Sequence, residues 1–166
     1  MLTATALGFF QNEIAKAVVL ALFIPLIISS GGNSGAQATT LVIRAMALGE
    51  IGLPHWWRIL VRECMSGITL GIVLCVIGIS RIMLWHGISG AYGEQFARVA
   101  LTVGLSLIGV VLFGTIAGAM LPLLLRSLQL DPASASAPAV ATLVDVSGLI
   151  IYFSVAKVFI LGVLTR

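Results

Sequence analysis

The residue in this chain whose placement most strongly suggests chemistry is Asp145. It is preceded by Ala-Thr-Leu-Val and followed by Val-Ser-Gly-Leu, with no basic residue within four positions. A carboxylate deep in an apolar helix costs a few kcal/mol on insertion scales (about 2.5–3.5). It persists where it meets water, a counter-charge or an ion. Ala141, Asp145, Gly148 and Tyr152 are spaced i, i+4, i+7 and i+11, so a helix would carry them on one face. That face is small and polar, while Leu143, Val144, Ile150 and Ile151 point largely elsewhere. A water-filled lumen suits such a stripe. The alternatives are a protonated Asp145 hydrogen-bonded to a neighbouring helix, or a pair with a distant arginine.

A second polar stretch runs over residues 29–40, SSGGNSGAQATT. At helical spacing Ser29, Gly32 or Asn33, Ala36 and Thr40 form a stripe of small and polar side chains. Two readings stand. Small residues let backbones approach and expose carbonyl oxygens to a pore, as in helices broken at membrane depth. Equally, Gly31 and Gly35 make a GxxxG seam for helix packing. Pro25, just before the stretch, removes a backbone donor and is expected to kink the helix.

Other groups carry less chemistry. Cys64 and Cys75 fall in one apolar run, roughly 16 Å apart as a helix and beyond disulfide reach. His55 and His86 sit in short polar breaks. No zinc spacing, phosphate loop or Ser/His/Asp set occurs, so no enzyme is expected.

The elements that must hold these residues follow from composition. Of 166 residues, 60% are hydrophobic and only 9% charged, against about 25% in ordinary soluble chains. The net charge of +3 is scattered, without the basic run a nucleic-acid surface needs. Lipid is therefore the expected solvent. Four long apolar stretches cover residues 13–48, 59–84, 96–125 and 138–164. Each exceeds the ~20 residues that cross a bilayer core, and continuous apolar runs favour helices over barrel strands. Residues 1–10 lack a secretory leader's pattern and read as the tail of a further helix or an interfacial piece. The expected fold is an all-α integral membrane bundle of five helices, the first largely truncated. One transmembrane domain over residues 1–166, with no soluble domain, is expected.

Trp56 and Trp57 at one end of the second stretch and Trp85 at the other, with Arg58, Arg62 and Arg81 nearby, fit interfacial belts. Orientation is balanced. Alternating helices put Arg44, Arg58, Arg62 and Arg126 on one side and Lys16, Arg81, Arg98 and Arg166 on the other.

One carboxylate per chain is a sparse ion site. A two-fold dimer with the stripe on its axis would bring two together. A hydrated divalent cation between them would offset their repulsion, and magnesium, which dehydrates reluctantly, suits a wide site of oxygen ligands.

Three segments resemble the MgtE family of magnesium transporters: PLIISSGGNSGAQATTLVIRAMALGE (residues 25–50), GAMLPLLLR (118–126) followed by Asp131-Pro132, and PAVATLVDVSGLIIYF (138–153). They occur in the family's order, with similar spacing, over nearly the whole chain. The resemblance implies a homodimer in the inner membrane, its pore built by the second and fifth helices of both subunits. It implies that Asp145 is the central magnesium-binding aspartate and that Ala141 offers a backbone carbonyl to the hydrated ion. Ser29, Gly32, Ala36 and Thr40 match positions lining the cytoplasmic half of the pore. The loops at 49–62 and 126–138 would be cytoplasmic. Three departures accompany it. Ala36 and Ala137 stand where better-known members carry asparagine, most of the first helix is missing before Phe9, and no counterpart of the family's N-terminal and CBS sensor domains occurs.

The reading is thus a homodimeric channel or transporter passing hydrated Mg2+, the transported ion, down its gradient. Asp145 and Ala141 would hold the metal, with Ser29, Gly32, Asn33, Ala36, Thr40, Gly148 and Tyr152 lining the path. The expected partners are a second copy, divalent cations and the bilayer, and no nucleic acid. A non-conducting assembly subunit, with Asp145 as interhelical glue, is the alternative. A carrier of a small organic ion is a weaker third.

Overall fold

A computed structural model describes residues 2–10, 18–90, 92–134 and 137–161. The expected start of the first long stretch at Glu13, with Lys16, lies outside the described residues, as do Leu164 and Arg166 at the far end. The described residues form five α-helices and no strand: α1 (Leu2–Phe9), α2 (Ile24–Ala47), α3 (Trp56–Ser89), α4 (Phe96–Ser127) and α5 (Ala137–Ala156). A 3-10 segment, Val18–Phe23, leads into α2, and a π turn, Lys157–Leu161, follows α5.

Four spans are long and apolar enough to cross a membrane: Val18–Ala47, Leu53–Ser89, Phe96–Ser127 and Ala137–Ile160. The central helix is α4, which packs against α2, α3 and α5, while α1 rests on α5. Val103, Leu107, Val110 and Val111 of α4 are fully buried. By contrast α3 touches mainly α4, and its outer face leaves Met65, Ile72, Val76, Ile77 and Leu84 exposed. In water such a surface would aggregate, whereas lipid tails solvate it. Trp56, Trp57 and Trp85 are exposed near its two ends, with the Arg81 guanidinium 4.7 Å from the Trp85 ring centroid. Cys64 and Cys75 are free thiols on this helix.

Contrary to the expected kink, α2 runs unbroken through its glycines. Pro25 sits in its first turn, where a missing N–H leaves no hydrogen bond unmade. The irregularity falls before it, in the 3-10 segment. Further along, hydroxyls reinforce the turn: Ser34 Oγ donates to Ser30 O (2.8 Å) and Thr40 Oγ1 to Ala36 O (2.8 Å). The helix ends in a Schellman turn. Gly49 takes φ +74°, Gly49 N donates to Met46 O and Glu50 N to Ala45 O.

Candidate functional site

Helix α2 lies in the groove between α4 and α5, and glycine makes that possible. A Cβ at Gly114 would be 2.6 Å from the Gly31 carbonyl oxygen, and one at Gly118 would overlap the carbonyl of Gly35. Two GxxxG pairs, Gly31/Gly35 and Gly114/Gly118, therefore face each other with backbones in contact. Thr39 ties the seam, its Oγ1 shared between Gly35 O and Gly118 O at 2.9 Å each. Val140 and Val144 of α5 close the third side and are fully buried.

One residue round from Gly31, Gly32 turns toward α5. A Cβ there would stand 2.9 Å from Asp145 Oδ1, 3.8 Å from Ala141 Cβ and 3.9 Å from the Ala141 carbonyl oxygen. Gly32, Ala141 and Asp145, predicted from separate stripes, are thus brought together. The Asp145 carboxyl is half-buried and has no hydrogen-bond or ion-pair partner among the described residues. Nor does any group of three His, Cys, Asp or Glu side chains among those residues form a metal cage.

The rest of the α2 stripe opens away from the seam. Ser29, Asn33 and Thr40 are exposed and Ala36 is half-buried. Asn33 Nδ2 donates to Ser29 Oγ at 3.2 Å, so the two hold each other along the helix. The packing seam and the open polar stripe are neighbouring faces of α2. Gly31 and Gly35 lie on the packed face, and Ser29, Asn33 and Thr40 on the open one.

Gly148 and Tyr152 lie elsewhere. A Cβ at Gly148 would be 3.1 Å from Val110 Cγ1, so this glycine admits α4. Tyr152 is fully buried and donates its hydroxyl to Leu20 O at 2.9 Å. Both do share a face with Asp145, as spacing requires. That face is open beside Asp145 but is covered two turns further on by the Val18–Phe23 segment. Spacing along one helix gives a common direction and says nothing of what covers each turn. The hydrogen bond across 132 residues has no local signal in the sequence.

Sequence comparison adds kinship to this geometry. The MgtE family, described as a divalent cation transporter, matches residues 24–155. A magnesium transporter MgtE of Thermus thermophilus is 38% identical over 160 residues, covering 96% of this chain and 34% of that protein. Its namesake in Bacillus subtilis is 31% identical over 160 residues, with the same coverage. That of Enterococcus faecalis is 27% identical over 159 residues, covering 96% of this chain and 33% of its own length. The chain spans about a third of the length of these relatives.

Proposed function

From the premise that the chain belongs to the MgtE family of divalent cation transporters, we propose that it passes hydrated Mg2+ through a pore on the axis of a homodimer. The membrane would be the cell's inner membrane. The observation that carries this reading is the carboxyl of Asp145, unpartnered among the described residues and bordered by a glycine that leaves it room.

On this reading the open faces of α2 and α5 meet their two-fold copies around a water-filled lumen. Two Asp145 carboxylates and two Ala141 carbonyls then surround the ion. A magnesium ion keeps most of its waters, so these oxygens act largely through the hydration shell. Ser29, Gly32, Asn33, Ala36 and Thr40 continue the polar wall on one side of the acid. Gly148 and Tyr152, enclosed by packing, brace the helix that carries it. Ala36 and Ala137 put small apolar groups along the path, so hydration water rather than an amide would meet the ion there.

A membrane potential suffices as the driving force. Each elementary charge gains about 2.3 kcal/mol per 100 mV, so a divalent ion gains roughly twice that.

The test is flux. The purified protein in liposomes loaded with a magnesium dye should admit Mg2+ when a negative-inside potential is imposed, with Mn2+, Co2+ and Ca2+ added in turn as competitors. A dimeric, helical preparation giving no flux above protein-free vesicles would instead favour a non-conducting assembly subunit.

A further inference from the structure

On the side of α2 away from α5, a cleft of about 450 Å³ opens between α2 and α3, reaching Thr115 of α4. Thr115 is 5% exposed, and its Oγ1 is shared between Leu112 O of its own helix (3.1 Å) and Glu63 O of α3 (3.2 Å). Four charged residues line the cleft: Arg44 and Glu50 from α2 and the loop after it, and Arg62 and Glu63 from α3. Their charges balance. None forms a salt bridge among the described residues, although the Arg62 charge reaches Glu63 through space. Glu63 is half-buried, while the other three are exposed.

The remaining lining is mixed in a particular way. Ser34, Gln37 and Ser66 add uncharged polar groups, and Leu41 and Leu70 form an apolar wall. Trp56 and Trp57, an interfacial pair, lie at the same end of α3, about 9 Å along the helix from Arg62. The cleft therefore starts near headgroup level and runs toward the hydrocarbon. At headgroup level the ligand whose chemistry is at hand for such a cleft is a phospholipid. Balanced, unbridged charges of both signs complement a zwitterionic head better than an anionic one.

We propose that this cleft binds an aminophospholipid. Its phosphate lies between Arg44 and Arg62, its primary ammonium is directed at Glu63, and one acyl chain lies along Leu41 and Leu70. A primary ammonium donates hydrogen bonds to a carboxylate, whereas a trimethylated one does not. The cleft should therefore distinguish phosphatidylethanolamine from phosphatidylcholine. Nothing in this depends on ion conduction.

The test is a titration of the delipidated protein in detergent, followed by native mass spectrometry. The ligands are phosphatidylethanolamine, its mono- and dimethyl derivatives, phosphatidylcholine and phosphatidylglycerol, with matched acyl chains. Binding to the unaltered protein should fall stepwise with methylation, roughly tenfold from first to last, the scale of a charge-assisted hydrogen bond. Glu63→Gln should erase the methylation dependence, while Glu50→Gln keeps it. The double change Arg44→Gln/Arg62→Gln should weaken every phospholipid. Equal binding across the methylation series, a preference for phosphatidylglycerol, or an unchanged series in Glu63→Gln would each overturn the proposal. The methylation series needs no variant, so a misfolded Glu63→Gln would not remove the test.

Discussion

The backbone of Gly32 lies against the carboxyl of Asp145, so close that a Cβ at position 32 would stand 2.9 Å from Oδ1. Gly32 of the α2 stripe and the half-buried Asp145 are therefore neighbours. A methyl group there must displace the carboxyl, which has room to turn because it is only half-buried. Gly32→Ala should keep the fold and lower Mg2+ flux several-fold, and Gly32→Val should abolish it. Dye-loaded vesicles, with size-exclusion elution as the folding control, measure both.

The glycine seam makes a different prediction, about stability. At Gly118 an added Cβ overlaps the Gly35 carbonyl, an unyielding backbone atom, whereas at Gly87 nothing lies within 4 Å. Gly118→Ala should destabilise the protein by about 1–3 kcal/mol, the usual range for overpacking. Gly87→Ala, in the exposed last turns of α3, should be neutral or stabilise by up to about 1 kcal/mol. Unfolding in mixed micelles by a denaturing detergent compares the two, and equal midpoints would contradict the packing account.

Tyr152 offers a third measurement. Its hydroxyl satisfies the carbonyl of Leu20, a residue with 0% exposure. Tyr152→Phe removes this buried hydrogen bond, at about 0.5–1.5 kcal/mol. The same unfolding assay should show the loss. Flux per folded molecule should stay near that of the unaltered protein, because the ring packs the interior and faces no ion path.

Accessibility should divide the α2 and α5 positions. With Cys64 and Cys75 replaced by alanine, single cysteines at Ser29, Asn33, Ala36 and Thr40 should react with a charged, membrane-impermeant thiol reagent. Cysteines at Gly31 and Gly148, against Val110, should not. Reaction at Asn33 should also block flux. Labelling that follows lipid-soluble reagents alone would place the stripe against lipid instead.

How much of this was legible beforehand follows from which interactions are local. The helical type of the four long runs was plain, because apolar runs of that length in lipid leave few options, and Asp145 announced itself by cost. The partnership of Gly31 with Gly35 could be read as GxxxG, but not that Gly114 and Gly118 lie opposite, a relation set by how α2 and α4 cross. Pro25 illustrates a further limit. Its chemistry excludes an interior hydrogen bond, yet a helix that begins there meets that condition without bending. Tyr152 shows the strongest limit: spacing puts it in line with Asp145, but its cover comes from a segment 132 residues away. The polar stripe of α2 was ambiguous because two neighbouring faces, one packed and one open, draw on the same small residues.

The most direct test of the central claim is Mg2+ flux through Asp145→Ala, compared with the unaltered protein in the same liposomes at equal amounts of folded, dimeric material. Loss of the Asp145 carboxylate from the proposed axis should lower flux by at least tenfold. It should also flatten the competition between Mg2+ and Mn2+, and Asp145→Glu should restore part of both. Unchanged flux and unchanged competition in a folded, dimeric Asp145→Ala would contradict the account.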